Sequence, residues 1–463
     1  MTNQIGPQIP KLAIDAAKAY RDAGYGLWLV GGWVRDALLG NLHADLDFAT
    51  DALPEESEKV LARWARSKAR TTGRQFGTLA VQKDGHAIEV TTFRREVYRE
   101  DSRNPEVEFA SDLKTDLSRR DFTVNAMAIE LPDVEVVDPF GGLSDLAARR
   151  IATPLGPDIS FNDDPLRMLR ALRFVSTLQF ELADDVRDAI AQMHERLSII
   201  SKERIRDEFS KLILGIRPAA ALDIATATGL ADEFIPELPA LQLEQDPVHR
   251  HKDVFRHTLA VLDNAITAET DGPDLALRLS ALFHDVGKPK TKQVTPKGVS
   301  FHHHEVVGAE MTEARLKELR YPARLIEEVR LLVYLHLRFH TYRLGWTDKA
   351  VRRYVRDAGG LYMKLNMLVR ADCTTQNPAK ALRLSRRMDE LEERVAQLRQ
   401  KEDLERIRPA LDGLEVMDLL GVPPGPVVGE AIDFLLTIRM DEGVIETEEA
   451  KERLLAWHET KRK

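Results

Sequence analysis

The chain carries a single cysteine, Cys373, in 463 residues. An internal disulfide framework is therefore excluded, and a reducing compartment is expected. No apolar run reaches bilayer-spanning length and the N-terminal residues hold no apolar signal core, so a cytoplasmic chain without a membrane role is expected. The apolar stretch from Leu331 to Leu335 is, by the same measure, a buried helix segment. Tandem repeats and long low-complexity tracts are absent, and no GxxxxGK[ST] loop supports a P-loop ATPase. Excess positive charge is also missing: 66 Lys and Arg stand against 75 Asp and Glu, a net charge of −9. That balance argues against a protein that coats nucleic acid through many phosphate contacts.

What remains is an ordinary globular composition, 43% hydrophobic and 30% charged, long enough for several domains. The basic residues are unevenly spread. Arginines cluster at Arg94, Arg95, Arg99 and Arg103, at Arg119 and Arg120, from Arg167 to Arg173, and at Arg352, Arg353 and Arg356. Basic islands on an acidic protein fit one shaped nucleic-acid ligand better than indiscriminate binding.

Hydrophobic periodicity predicts mixed α/β structure over residues 1–150. Leu27 to Val30 reads as a strand, Gly31-Gly32 as a turn, Trp33 to Leu39 as a helix and Leu46 to Ala49 as a strand again. Leu79 to Gln82 and Ala87 to Thr92 read as a hairpin around Asp84-Gly85, and Val134 to Val137 as a further strand. From about residue 160 the strand signal disappears and helices take over, among them Asp164 to Leu178, Ala183 to Arg196 and Lys202 to Leu212. Boundaries are expected at Thr153 to Pro157, at Pro236 to Pro247 and near Asn377-Pro378. Beyond the last, Leu384, Met388, Leu391, Val395 and Leu398 form a stripe on a long helix, read as packing against its own body rather than as a coiled-coil seam.

Asp45 and Asp47 alternate on a strand and so share one face. Such a pair can hold a divalent metal, because magnesium prefers a few carboxylate oxygens together with substrate phosphates. Glu89, on a later strand, can supply a third carboxylate. Alone, Asp-x-Asp can equally end a strand in solvent, and Gly31-Gly32 can be a plain turn. Context adds weight: a strand precedes the glycines, a helix follows, and Arg35 offers a fork of donors on its first turn. Arg119 and Arg120, beside Asp121, form either an ion pair or a triphosphate clamp; sequence alone leaves both open. Asp164 and Pro165 read as cap and first residue of a helix. On it Arg167, Arg170 and Arg173 recur every third residue, a repulsive spacing that an anionic ligand would relieve.

Taken in order, these motifs resemble the class II tRNA nucleotidyltransferases, the CCA-adding enzymes of the polymerase β-type nucleotidyltransferase superfamily, over essentially the whole chain. The resemblance implies an α+β fold: a nucleotidyltransferase head with a mixed sheet at residues 1–155, then an all-α remainder. The latter divides into a neck at 156–245, an HD domain at 246–376 and a tail at 377–463. It implies Mg²⁺ on Asp45 and Asp47, with Glu89 alongside. Gly31, Gly32, Arg35 and one of Arg119 and Arg120 would contact the nucleotide. Asp164 and Arg167 would select CTP or ATP, with Arg170 and Arg173 completing the site. Asp163 stands where the family often has Glu. The physics agrees. Aspartate accepts from the exocyclic amino group that C and A share, and arginine donates to a ring nitrogen or carbonyl. An unpaired buried polar group costs about 1–3 kcal/mol, enough to reject GTP and UTP. The implied partners are tRNA, CTP and ATP, with no DNA and no membrane.

His284-Asp285 ends an apolar helix, with His257, His304, His336 and Asp372 elsewhere in the chain. Neutral imidazoles and carboxylates suit a divalent metal, although a histidine such as His336 on an apolar helix is more often a satisfied core residue. The order resembles the HD phosphohydrolase superfamily, whose four signature positions match His257, His284, Asp285 and Asp372, with His304 and His336 as the extra histidines of some members. This implies a phosphohydrolase centre with a divalent metal of unspecified identity. The tail from Asp412 to Gly429 resembles the family's C-terminal element and is expected to contact tRNA. Two other readings stand beside CCA addition. One is a bacterial poly(A) polymerase, against which the run Gly73 to Val81 counts. The other is an HD phosphohydrolase whose head only binds RNA, against which the intact Asp45 and Asp47 count.

Overall fold

The run Leu27–Val30 (β1) extends because four apolar residues lie flat against a core on both sides, and it ends at Gly31, whose φ of +73° few side chains tolerate. The computed structural model describes residues 9–41, 45–73, 77–99, 102–110, 112–243, 253–296, 298–341, 346–375, 377–402, 404 and 407–462. Residues 74–76 of the Gly73 to Val81 run, and residues 244–247 of the second expected boundary, lie outside the described residues, as do the side chains of Arg95, Arg99 and Arg103. The chain separates into two compact units, 1–234 and 235–463.

The first unit is built on a seven-stranded mixed sheet. After β1 come Leu46–Thr50 (β2), Arg70–Gly73 (β3), Thr78–Lys83 (β4), His86–Thr92 (β5), Arg94–Arg99 (β6), Ser102–Phe109 (β7), Ala128–Leu131 (β8) and Glu135–Val137 (β9). The order in the sheet is β3-β4-β5-β2-β1-β8-β9, while β6 and β7 form a separate hairpin. The expected turn at Asp84-Gly85 is present, with both residues at positive φ, as a two-residue hairpin requires. Of the sheet pairings, β2 with β5 is parallel and sets Asp47 opposite Glu89. One face packs on a core of Val30, Ala49, Phe93, Leu117, Ala126 and Ala128. Helices Leu166–Leu178, Lys202–Ile213 and Pro218–Ala227 then pack on one another. The mixed sheet followed by a mostly helical remainder is the α+β architecture expected.

Three local expectations need correction. The helix expected from Asp164 begins at Leu166, because Asp164 stands in extended backbone at the end of the preceding helix Pro157–Asp163, and Pro165, not Asp164, takes the cap position of the next. Strand does not vanish after 160: Glu181–Leu182 pairs with Arg150–Ile151, and Lys292–Thr295 pairs with Gly298–Phe301. Pairs of two to four residues are too short to produce a readable alternation. Of the Arg352 group, Arg352 is no part of a surface island, being buried against Glu402, whereas Arg353 and Arg356 remain at the surface.

In the second unit, Val254–Ala268, Leu275–Phe283, Ala323–Leu335 and Tyr362–Ala371 pack together, with His304–Glu318 against the third of them. Leu332, Val333 and Leu335 are buried, as the short apolar run implied. On the helix Pro378–Lys401, Met388, Leu391, Val395 and Leu398 are buried against this body. The end of the chain has its own small core of Leu411, Val416, Ala431, Leu435, Ala450 and Leu454.

Candidate functional site

Asp47 and Glu89 stand side by side because parallel β2 and β5 pair them in register, and both point out of the sheet into solvent. With Val30, Phe48, Thr91, Arg94, Arg119 and Arg120 they line a recess of about 220 Å³. Desolvation within it, then the charge on Glu89, raises the Asp47 carboxyl above its ordinary value; Arg120 opposes this and Asp45 adds to it. A carboxylate held beside other carboxylates is in an environment that a cation would relieve. Asp45 sits exposed just before β2, so of the pair expected to alternate on one strand only Asp47 lies in it, and Asp45 is carried by the preceding loop. The donor atoms of Asp45, Asp47 and Glu89 do not close into a tight cage among the described residues.

The glycine turn meets this recess closely. A Cβ built on Gly31 would lie 2.9 Å from Nη1 of Arg120, and one on Gly32 would lie 3.5 Å from Nη2 of Arg35. Arg35 is buried, donates twice to Asp36 at 2.8 Å and once to Asn125 at 2.7 Å, and lies 5.1 Å from the Phe174 ring centre. Arg119 and Arg120 both pair with Asp116: Arg119 donates at 2.7 and 3.0 Å and Arg120 at 3.2 Å. Burial would raise Asp116, but Arg120 and Arg119 outweigh it and hold the carboxyl down. The buried carboxylate thus fixes both guanidinium groups at the wall of the recess. The sequence signal for Asp116 was available in its i+3 and i+4 spacing to the arginines.

The arginines of Leu166–Leu178 do not form a solvated face. Arg167 is buried and donates to Ser160 Oγ at 3.0 Å and to the Arg119 carbonyl at 2.6 Å. Arg170 donates to Asp121 at 2.5 and 3.0 Å and pairs with Glu208. Arg173 lies 2.9 Å from Glu208. The repulsion expected along this helix is met by two buried carboxylates from other segments. Burial would raise Asp121, but Arg170, Asn125 and Arg167 bring it down to about 2. Asp164 accepts from the Leu166 amide at 3.1 Å and from Arg204 at 2.7 Å. Arg204 and Glu208 went unnoticed in the sequence because they approach from a helix some forty residues away.

In the second unit, four imidazoles converge. Each Nδ1 is tied outward: His257 to Thr374 Oγ1 at 2.8 Å, His284 to the Ala281 carbonyl at 2.8 Å, His304 to the Phe301 carbonyl at 2.7 Å and His336 to the Val333 carbonyl at 2.6 Å. That leaves every Nε2 facing inward, the tautomer pattern of metal-ligating histidine. His257 Nε2 lies 3.0 Å from Asp372 and 3.5 Å from Asp285, while His284 Nε2 lies 3.2 Å from Asp285 and His304 Nε2 3.3 Å from it. Two groups have donor atoms within 4.8 Å of one another: His257, His284 and Asp372, and Asp285, His304 and His336. The Nε2 of His336 is buried with no hydrogen-bond partner among the described residues. Burial, helped by His284, brings its pKa down to about 3, so it is neutral and able to ligate. Hence His336 is not a satisfied core histidine, and the six residues fit a divalent metal centre. Lys288, which donates to Asp285 at 2.6 Å, was not anticipated.

Protein-family models match this chain as "Poly A polymerase head domain" over 27–152, "Probable RNA and SrmB- binding site of polymerase A" over 179–241 and "HD domain" over 254–398. The A-adding tRNA nucleotidyltransferase of Deinococcus radiodurans is 35% identical over 94% of this chain and 96% of its own length. The CCA-adding enzyme of Geobacillus thermodenitrificans is 33% identical over 94% and 93%. The CCA-adding enzyme of Bacillus licheniformis is 42% identical, but over 51% of this chain, and this chain spans only 57% of that relative's length. Among solved structures, the Bacillus stearothermophilus CCA-adding enzyme in complex with CTP superposes with a TM-score of 0.72 at 26% identity, covering 98% of both chains. No helix among the described residues is long and apolar enough to cross a membrane. With its head, RNA-binding and HD segments in this order, the chain belongs to the CCA-adding family of tRNA nucleotidyltransferases.

Proposed function

We propose that this chain extends the 3′ end of tRNA with C, C and A from CTP and ATP, without a nucleic-acid template, in the cytoplasm. The observation that carries the reading is the recess in which Asp47 and Glu89 face Arg119 and Arg120. Carboxylates for a metal and guanidinium groups for a triphosphate there share one wall. Asp45 and Asp47 would hold Mg²⁺, with Glu89 beside them; when bound, the ion supplies Lewis acidity to the attacking 3′-hydroxyl and the departing pyrophosphate. Arg119 and Arg120 grip the triphosphate, and Gly31 and Gly32 let it approach the backbone.

Asp164 and Arg167 read the base. Arg204 and the Ser160 hydroxyl act as positioning residues that fix the two readers. Arg170 and Arg173, with Arg35, hold the helix and the Arg119 to Asn125 segment in place around the nucleotide. We assign a head at 1–155, a neck at 156–245, an HD domain at 246–376 and a tRNA-contacting tail at 377–463.

The second site is a phosphohydrolase centre in this reading. His257, His284, Asp285, His304, His336 and Asp372 would hold one or two divalent ions, which when bound supply Lewis acidity toward a phosphoester. Against the cost of burial, His284, then His304 and Lys288, hold Asp285 in its ionised form.

The test is addition to three tRNAs, ending in the discriminator base, in C and in CC, with each nucleotide supplied separately. Ordered C, C, A incorporation is expected. The near full-length match to an A-adding relative favours one alternative, addition of A alone to tRNA ending in CC. Continuous A incorporation on any RNA would instead sustain a poly(A) polymerase.

A further inference from the structure

Beside the histidine and aspartate centre lies a cavity of about 280 Å³ whose wall includes Asp372 itself. Phe339, His340, Cys373, Leu384 and Met388 line it as well. Its volume is at the small end for ligand sites, enough for one planar ring system. Phe339 is fully buried, with the Arg387 guanidinium 5.0 Å from its ring centre. With Phe339 so occupied, the His340 ring and the Met388 thioether are the lining groups that can meet a nucleobase.

The outer wall is the helix Pro378–Lys401. Lys380, Arg383, Arg386 and Arg387 fill its first turns, and Asp389, Glu390, Glu392 and Glu393 come only after them. This order opposes the helix dipole, which favours acids first. The spacing from Lys380 to Arg383 and from Arg383 to Arg386 also places like charges together. Lys380, Arg383 and Arg386 are exposed, and no carboxylate among the described residues pairs with them. A polyanion lying along this face would offset both costs.

We propose that the cavity is a base pocket of the second centre, which takes a nucleoside phosphate at the end of a single-stranded RNA. The terminal base occupies the cavity, its phosphate lies over Asp372, and the preceding phosphates run along Lys380, Arg383 and Arg386. The proposal rests on the phosphohydrolase reading of that centre. A free nucleoside phosphate has the same chemistry at the cavity and lacks only the strand.

Cys373 is the chain's one cysteine and lines the pocket, so its alkylation reports occupancy without turnover. The full chain, in chelator, is treated with iodoacetamide and followed by intact mass, with adenosine 3′-phosphate or a tetranucleotide bearing a 3′-phosphate. Both ligands are expected to slow alkylation, the tetranucleotide at a concentration at least tenfold lower. The triple charge reversal of Lys380, Arg383 and Arg386 to Glu, all at exposed positions, should erase that tenfold advantage and leave mononucleotide protection within twofold. Calorimetric titration of the same ligands into wild type and Met388→Trp is the second readout, and filling the cavity should remove binding of both.

Unchanged alkylation together with equal binding to Met388→Trp would overturn the pocket. Equal protection by both ligands, with the triple variant inert, would overturn the strand assignment. Protection of Cys373 in a chain that releases phosphate from no phosphomonoester with any divalent ion would sink the hydrolase reading while leaving the pocket in place.

Discussion

Asp47 shows how much a single carboxylate depends on its neighbours. It is solvent-facing, yet desolvation and Glu89 raise it, so its charge is costly until a cation arrives. Asp45→Ala or Asp47→Ala should abolish nucleotide addition, a loss of at least a thousandfold in kcat, with an unchanged circular dichroism spectrum. Persistent addition would remove the pair from the reaction. Arg167→Ala should act differently, lowering the preference for CTP and ATP over UTP and GTP by tenfold or more in competition assays. The size follows from about 1–3 kcal/mol per unmatched polar contact. Asp121 carries a pH signature instead. Its folded-state pKa of about 2 lies below its unfolded value, so its stabilisation is complete above the unfolded pKa and is lost as pH falls toward 2. Asp121→Asn should therefore destabilise the protein at neutral pH by about 3 kcal/mol and flatten the fall in melting temperature between pH 4 and 2.

The strand pairing and helix ends place these groups. The turn at Gly31 combines a φ of +73° with the Arg120 guanidinium at 2.9 Å from any Cβ. Gly31→Ala should cost about 1–2 kcal/mol of backbone strain and displace Arg120, seen as a raised KM for nucleotide together with a lowered melting temperature. The turn was legible as strand, glycine pair and helix. Its close contact with Arg120 was not, because the two lie 89 positions apart in sequence. The same distinction holds for Leu166–Leu178. Its arginine periodicity was plain, but Asp121 and Glu208, which neutralise it, come from other elements. In the second unit, Glu402 lies between buried Arg352 and Arg439. It ties the helix Asp348–Ala358 to Pro426–Glu442 at the end of the long helix. Glu402→Ala should cost about 3–5 kcal/mol, because two guanidinium groups would be left buried without a partner. Denaturant titration measures this directly.

Two candidate centres, held on separate sets of elements, lie one in each compact unit. Divalent ions should raise the melting temperature through His257, His284, Asp285, His304, His336 and Asp372, since a ligand at a hundred times its Kd adds about 2.7 kcal/mol. Asp285→Asn should remove that shift and any phosphate release while sparing nucleotide addition; loss of both activities in a folded variant would contradict two independent centres. The order of motifs, the α+β division and the adjacency of His284 and Asp285 at a helix end were readable along the chain, because each depends on residues a few positions apart and on strand or helix periodicity. The partner of each charge was decided elsewhere. Asp116 holds Arg119 and Arg120, Arg204 holds Asp164, and four outward-tied imidazoles turn their Nε2 atoms onto two carboxylates. Local periodicity records which face a side chain occupies. Only the packing of distant segments determines what that face meets, and with it the charge state and orientation on which the chemistry depends.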